Sequence, residues 1–309
     1  LLELFSEEIP ARMQARAADD LKRLVVEALR GAGLENGAAE AYATPRRLTL
    51  VVADVPAKSP AVCEERKGPR VGAPEAAIQG FLKAAGLASL GEAEIVSDAK
   101  KGDYYLAKIE RPGRKAREIV AEAVPAVLAR FPWPKSMRWG TMSFQWVRPL
   151  HGIVCLLDGK IVPLEVAGVK SSNVTRGHRF HGREPFAVEG FADYRKKLAK
   201  AKVILDGSER ARRISEAAHE IARHHKLALV EDEGLLYENA GLTEWPVVLM
   251  GQFDEAFLAV PAECLVTSMR THQKCFSLRH PKTGKLANRF LMVANLAAKD
   301  GGERIVAGN

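Results

Sequence analysis

The first third of the chain alternates between helical and strand-like patterns of apolar residues. Residues 11–33 carry apolar positions at helical spacing and finish with two glycines, which predicts a helix that stops there. Leu1 to Phe5 is an apolar run of strand length, and residues 44–56 alternate apolar and polar positions up to Pro56. The pattern therefore predicts a strand–helix–strand unit over roughly the first 56 residues.

The middle of the chain begins with a stretch rich in proline, glycine and charge. We interpret residues 57–75 as a linker because these residue types interrupt regular structure. The elements predicted after it are a helix over 74–86, a hairpin of strands 92–98 and 103–111 around a turn at 99–102, and a helix over 116–131. Pro125 lies inside the second helix and should end or kink it, because proline has no backbone donor.

The rest of the chain is strand-rich, and its clearest signal is Asp158-Gly159, a hairpin dipeptide between two apolar runs. Further predicted elements are a helix over 208–226, a strand over 245–253, a helix or turn over 261–276, and a strand over 288–296. The chain shows hairpins and no regular alternation of strands and helices, so we predict an α+β fold with mixed and antiparallel sheets and packed helices. The predicted domains are 1–60, a small α+β unit at 70–135, and a basic α+β domain at 136–309.

Composition is that of a globular protein, with 47% hydrophobic residues among 309 and a net charge of +8. No apolar run approaches the roughly 18 residues that a membrane span needs, and no signal peptide is recognisable. The four cysteines form no C-x-x-C pair, which favours reduced thiols over a zinc ribbon or disulfide framework. We interpret the chain as part of a longer cytoplasmic protein with no membrane contact.

The positive charge is concentrated in one part of the chain. Residues 171–226 carry 13 lysines and arginines against 7 aspartates and glutamates, whereas residues 227–309 carry 8 against 10. A localised basic region is typical of a polyanion partner, usually nucleic acid, and a solvated basic face is the alternative.

The octapeptide TRGHRFHG, residues 175–182, stands in this basic region. A metal would need a third ligand beside the two histidines, and Arg176 and Arg179 would repel it. Acid–base catalysis by His178 or His181 would need a partner that is not visible nearby. Phosphate contact fits better, because arginine offers planar donors and glycine permits close approach, although a tight turn also requires glycine.

Further cations stand at ends of elements or beside aromatic rings. Arg138 is next to Trp139 and Arg148 follows Trp146 by two residues, which suits base stacking but also suits a core aromatic at the water boundary. The others are Arg46, Arg47, Arg270, His272 and Lys274; the last three share a face on a strand but not on a helix. The chain has no nucleotide-binding glycine motif and no H-E-x-x-H.

Several stretches together resemble the β subunit of bacterial heterotetrameric glycyl-tRNA synthetase. They are LLELFSEEIPARM, ATPRRLTL, KSMRWG, WVRPLHGIVCLLDGKIVP, TRGHRF, GLTEWPVVLMGQFDEAFLAVPAECLVTSMRTHQKCFSL, and FLMVANLAAKD followed by IVAGN. The similarity covers essentially the whole chain, in order. It implies that the β subunit continues beyond this segment, and that the N-terminal portion is similar to the editing-type module of the phenylalanyl enzyme's large subunit.

The resemblance also implies how substrate binding and catalysis are divided between the α and β subunits. ATP, Mg²⁺ and glycine would be bound in the α subunit, so we expect no catalytic residue, metal or cofactor site in this chain. The expected partners are the α subunit, tRNA(Gly) and a second β subunit. The residues expected to face tRNA or the α subunit, or to lock the fold, are Arg46, Arg47, Arg138, Arg148, Arg176, His178, Arg179, Arg270, His272 and Lys274. Two alternatives remain: a deacylase of mischarged tRNA with His178 or His272 as base, and a purely structural assembly domain.

Overall fold

The structure is a computed structural model that describes residues 1–97, 102–297, 301, 302, 304 and 306. These residues divide into two compact units. Unit 1 comprises Leu1–Ala28, Gly37–Ala53 and Ala121–Asn309, and unit 2 comprises Leu29–Asn36 and Asp54–Val120. Both contain helices and mainly antiparallel sheets, which confirms the α+β class. The domain limits 1–60, 70–135 and 136–309, and the likeness to an editing module, stay predictions.

The described residues form the following elements. The strands are β1 (Leu2–Ser6), β2 (Ala39–Thr44), β3 (Arg47–Val52), β4 (Val62–Arg70), β5 (Glu94–Val96), β6 (Tyr104–Arg111), β7 (Leu150–Leu157), β8 (Lys160–Ile161), β9 (Glu165–Val166), β10 (Val169–Ser172), β11 (Val174–Arg176), β12 (Pro185–Ala187), β13 (Ala228–Leu229), β14 (Val247–Gln252), β15 (Phe276–Arg279) and β16 (Leu286–Ala294). The α-helices are α1 (Ala11–Gly31), α2 (Glu75–Ala85), α3 (Ala116–Ala129), α4 (Phe191–Lys200), α5 (Gly207–His224), α6 (Glu233–Leu242) and α7 (Ala262–Ser268). Leu90–Glu92 and Glu255–Ala259 are 3₁₀ turns, and Met269–Gln273 is a π-helical turn.

The main sheet of unit 1 has the order β2-β3-β1-β7-β10-β9, and β8 extends the β7 edge. Neighbours are antiparallel except β10 and β7, which run parallel. All five residues of β1 are buried, as expected of a central strand. Residues of β7 pack against Tyr194 and Leu198 of α4, and this places α4 over the sheet.

The second sheet of unit 1 has the order β13-β15-β16-β14 and packs against α5 and α6. The apolar stripe of α5 is buried in this core, which includes Leu278 of β15 and Leu291 of β16. The helix prediction over 208–226 and the strand predictions over 245–253 and 288–296 are therefore confirmed.

Unit 2 contains the sheet β4-β6-β5 with α2 packed on it. The linker prediction for 57–75 is wrong, because β4 lies inside that range as a nine-residue strand and pairs with β6. Charged side chains made β4 look irregular, but its partner strand supplies the backbone hydrogen bonds. Gly68 belongs to this packing, since a Cβ there would lie 2.8 Å from the Phe81 ring. The pairing of β5 with β6 confirms the hairpin, whose turn at 99–102 falls largely outside the described residues.

Other local sequence patterns agree only partly with the structure. Asp158 and Gly159 both have positive φ, as the predicted hairpin turn between β7 and β8 requires. Pro125 does not end α3, which continues to Ala129. The strand β2 and the helices α4 and α6 were not predicted. No helix among the described residues has the length and apolar character to cross a membrane.

Candidate nucleic-acid interface

A buried ion network lies beneath the Thr175–Gly182 loop. Arg47, at the start of β3, is fully buried, and its Nη1 donates a short hydrogen bond to Glu244. Its Nε lies 3.3 Å from Glu3 Oε2 of β1, and its Nη2 donates to the carbonyl of Arg176 at 2.9 Å. Because the nitrogen donors of its guanidinium group all point into the protein, Arg47 anchors the loop to the sheet and presents no group to a ligand.

Hydroxyl groups complete this network. Tyr194 and Thr175 both donate to the Glu3 carboxylate, and Thr44 donates to Glu244 at 2.7 Å. Burial raises the pKa of Glu3 despite the opposing attraction of Arg47 and these hydrogen bonds. The network therefore connects β1, β3, β11 and α4.

The octapeptide itself is a closed, rigid loop. The Gly177 N–H donates to the Gly182 carbonyl at 2.9 Å, and the Gly182 N–H donates to the His178 carbonyl at 2.9 Å. The His178 N–H donates to the Ala201 carbonyl at the end of α4 at 3.0 Å. A Cβ on Gly177 would lie 2.3 Å from Ala201 Cβ, and one on Gly182 would lie 2.5 Å from Ala201 O. Both glycines are thus explained by packing against α4.

His178 supports the loop from inside. Its ring is fully buried, and Nδ1 accepts the backbone N–H groups of Phe180 at 3.2 Å and His181 at 3.3 Å. Burial lowers its pKa, although the Asn295 side chain favours the protonated ring. A buried imidazole whose Nδ1 already accepts two hydrogen bonds is suited to holding a turn rather than to taking a substrate proton. In the described part of the chain, no three His, Cys, Asp or Glu side chains are grouped as a metal site requires.

Three arginines of the predicted set meet at the surface around this loop. Arg176 is exposed, and its Nη1 donates to the Arg183 carbonyl at 3.3 Å. Arg179 forms an ion pair with Glu7, and its Nη2 lies 3.7 Å from Glu8 Oε1. The Glu7 carboxylate also accepts a hydrogen bond from His151. Arg46 lies over the Phe5 ring at 4.6 Å. Burial, followed by the positive charge of Arg179, lowers the pKa of Arg46, so these two guanidinium groups repel each other.

Arg138 and Arg148 are accounted for locally. The Arg148 guanidinium donates to the Val147 carbonyl at 2.8 Å. Arg138 is exposed and lies against the Gln145 side-chain amide. In the amide orientation that gives both Arg138 and Ser136 a hydrogen bond, the Gln145 oxygen accepts a hydrogen bond from Arg138 Nη2 at 2.9 Å. Trp146 is buried among other aromatic rings, so beside Arg148 the core interpretation applies.

The segment with Arg270, His272 and Lys274 does not join the loop. Arg270 pairs with Asp232, the N-cap of α6, and Lys274 pairs with Glu238 at 2.9 Å. The hydrogen bond from Arg270 holds the pKa of Asp232 below its ordinary value. His272 is exposed in the π-helical turn. Neither strand nor α-helix describes this segment, so the alternation argument does not apply to it.

Several residues of the site were missed by sequence reasoning. Glu3 is the clearest case, because a carboxylate inside the apolar run LLELF is a signal for a buried partner. Glu244, Tyr194 and Arg210 gave no such signal. Arg210 is buried on α5 and donates to four backbone carbonyl groups, including those of Ala43 and Ala240.

Comparison with known proteins places the chain in a family of aminoacyl-tRNA synthetase subunits. A family model described as the glycyl-tRNA synthetase beta subunit matches residues 1–309. The chain is 52% identical to the glycine–tRNA ligase beta subunit of Paracoccus denitrificans (strain Pd 1222) and 53% identical to that of Ruegeria sp. (strain TM1040). Each alignment covers 100% of this chain and 45% of the relative, so the chain spans about half the length of these curated relatives. The chain belongs to the glycyl-tRNA synthetase beta subunit family, which confirms the resemblance.

Proposed function

We propose that this chain serves in the β subunit of a glycine–tRNA ligase and binds tRNA(Gly) with the surface around the Thr175–Gly182 loop. The ligase would attach glycine to tRNA(Gly) at the expense of ATP, with ATP and Mg²⁺ bound in an α subunit. This chain would itself be non-catalytic, and its other partners would be the α subunit and a second β subunit in a cytoplasmic heterotetramer. Family membership over the full chain supports this assignment.

One observation supports the choice of surface. Arg176 is exposed on a loop that Arg47 ties to the buried network, and Arg46 and Arg179 lie beside it. Guanidinium groups on a rigid support suit phosphate oxygens, because little conformational freedom is lost on binding. The local excess of positive charge acts in the same direction.

Charge reversal at Arg176 tests the proposal. In the complete ligase with both subunits, Arg176→Glu should weaken tRNA(Gly) binding about 10-fold or more at fixed salt, because it removes a charge-assisted contact and adds repulsion. Fluorescence anisotropy of labelled tRNA measures the affinity, and circular dichroism monitors folding.

Arg212→Glu is the matched control, because it changes the net charge equally but alters an α5 arginine already paired with Glu216 at 2.8 and 2.9 Å. Its affinity should stay within about 2-fold of the parent, less than half a kcal/mol. Unchanged tRNA affinity in a folded Arg176→Glu ligase would remove this loop from the tRNA interface and favour the structural assembly role.

A further inference from the structure

Phe180 is the exposed tip of the Thr175–Gly182 loop. The residue is 51% exposed, although Gly177, His178 and Gly182 of the same loop pack against Ala201 at the end of α4. Single exposed apolar residues are common on protein surfaces, so exposure alone assigns no role to the ring. The groups around the ring indicate whether it can bind a ligand.

The backbone that carries Phe180 is held in one conformation. His178 Nδ1 accepts the Phe180 N–H at 3.2 Å, and the Gly177–Gly182 hydrogen bond of 2.9 Å closes the loop. The fully buried His178 ring also lies 5.9 Å from the Phe180 ring, centroid to centroid. A preorganised aromatic side chain loses little entropy when a planar ligand covers it.

The Arg183 guanidinium lies beside Phe180, Arg176 is hydrogen-bonded to the Arg183 backbone, and neither charge is matched by a carboxylate of the described residues. The Arg183 guanidinium lies 5.9 Å from the ring centroid, and its Nε donates to the Arg179 carbonyl at 2.9 Å. Arg176 Nη1 donates to the Arg183 carbonyl at 3.3 Å. Within the described part of the chain, neither lies within 4.0 Å of a carboxylate oxygen.

Two exposed arginines of α5, in the same basic region, differ in this respect. On α5, Arg212 pairs with Glu216 and Arg213 pairs with Glu209, each one helical turn away. Carbonyl groups orient Arg176 and Arg183 without neutralising them, so these two cations can add their full charge to a passing polyanion. The same charges disfavour an apolar protein partner over the ring, because burying them unpaired is costly.

We propose that Phe180 is a stacking platform for one unpaired base of RNA, with Arg176 and Arg183 on the phosphates that flank it. An aromatic ring presented beside cations is the arrangement that binds single-stranded nucleic acid, since every base offers a stacking face. A paired base has its faces covered by its neighbours, so the platform takes a nucleotide outside a duplex. The inference rests on the proposed tRNA-binding function and narrows it to an unpaired nucleotide.

The test compares two RNA probes on the complete ligase: a single-stranded oligoribonucleotide containing 2-aminopurine, and a blunt duplex of the same length. Phe180→Ala should weaken single-strand binding roughly 5- to 150-fold, the range for losing one stacked base. It should also abolish stacking quench of 2-aminopurine and leave duplex binding unchanged. Phe180→Trp should retain both single-strand affinity and quench.

Phe257→Ala is the matched control, because Phe257 is 57% exposed and belongs to a 3₁₀ turn outside the loop. It should alter neither probe. Arg176→Glu should weaken binding of both probes, because phosphates are present in each.

The outcomes separate this inference from the broader function. If Arg176→Glu weakens RNA binding and Phe180→Ala does not, stacking is wrong and the tRNA-binding surface stands. If Phe180→Ala weakens both probes equally, the ring does not select an unpaired base. If neither variant alters RNA binding, both proposals are wrong. Loss of α-subunit association with unchanged RNA binding would make Phe180 a protein contact and overturn the inference.

Discussion

Arg46 and Arg47 are adjacent in sequence but have opposite environments. Arg47 is fully buried between Glu3 and Glu244, whereas Arg46 is half-buried over Phe5 and faces Arg179. Both guanidinium groups lie near the Phe5 ring, at 4.6 Å for Arg46 and 5.1 Å for Arg47, so burial and ion pairing distinguish them. One arginine of the pair is therefore part of the core, and the other is available to the surface site.

Replacing Arg47 tests the structural role of the network. Arg47→Met should lower the free energy of unfolding by about 3–5 kcal/mol, because it leaves buried carboxylates without their cation. Urea denaturation followed by circular dichroism measures the change. Arg138→Met, at an exposed position, should change stability by about 0.5 kcal/mol or less. Equal losses in the two variants would show that the Arg47 network contributes no special stability.

Among the elements, the Thr175–Gly182 loop and the end of α4 form one packed unit. The loop begins within β11, and its backbone touches Ala201, the residue directly after Lys200 at the end of α4. His178 fills the interior of the loop while Phe180, Arg176 and Arg183 remain outside. The glycines that look typical of a phosphate loop are required here by helix packing, and the surface chemistry comes from the side chains between them.

Replacing Gly177 with alanine tests the packing of the loop against the end of α4. Gly177→Ala should destabilise the protein by about 1–3 kcal/mol, because the added methyl meets Ala201 Cβ at 2.3 Å and Ala201 O at 2.7 Å, and backbone must shift. The free energy of unfolding in urea reports the effect. Gly190→Ala is the control, since its Cβ would have no neighbour within 4 Å and its extended backbone accepts alanine; we expect a change of about 0.5 kcal/mol or less. A harmless Gly177→Ala would mean that the loop does not depend on close contact with α4.

Across the whole molecule, positive charge is localised in sequence and partly neutralised in space. Residues 171–226 hold most of the excess, and three of their cations, Lys197, Arg212 and Arg213, pair with carboxylates one helical turn away. Arg176 and Arg183 have no carboxylate partner among the described residues and donate to carbonyl groups instead, so their charge stays available at the loop. Counting charges along the sequence therefore finds a basic region but does not tell which of its cations are paired.

Salt dependence tests how many of these cations meet phosphate. For the complete ligase, the logarithm of tRNA(Gly) affinity should fall linearly with the logarithm of salt concentration. Arg176→Gln should reduce the magnitude of that slope by about 1, the effect of losing one phosphate contact. Arg212→Gln, at an arginine paired with Glu216, should leave the slope unchanged. Identical slopes for the parent and Arg176→Gln would place no phosphate at Arg176.

The sequence by itself determined the features that depend on neighbours along the chain. The apolar stripes of α1 and α5 and the Asp158-Gly159 turn arise from patterns within short segments, and the family assignment arises from many such segments in order along the whole chain. These patterns can be read locally because helix and turn geometry repeat over a few residues. The linker error at β4 has the complementary cause, since that strand is held by pairing with β6 more than by its own composition.

Only the tertiary structure decided which cations are structural and which face solvent. The ion pair of Arg47 with Glu244 joins residues 197 positions apart, and the bond from Thr175 to Glu3 joins residues 172 apart. No periodic pattern records such a pairing, because it depends on how sheets and helices come together in space. The same packing buries His178 and leaves Phe180 at the surface, although only one residue separates them in the sequence.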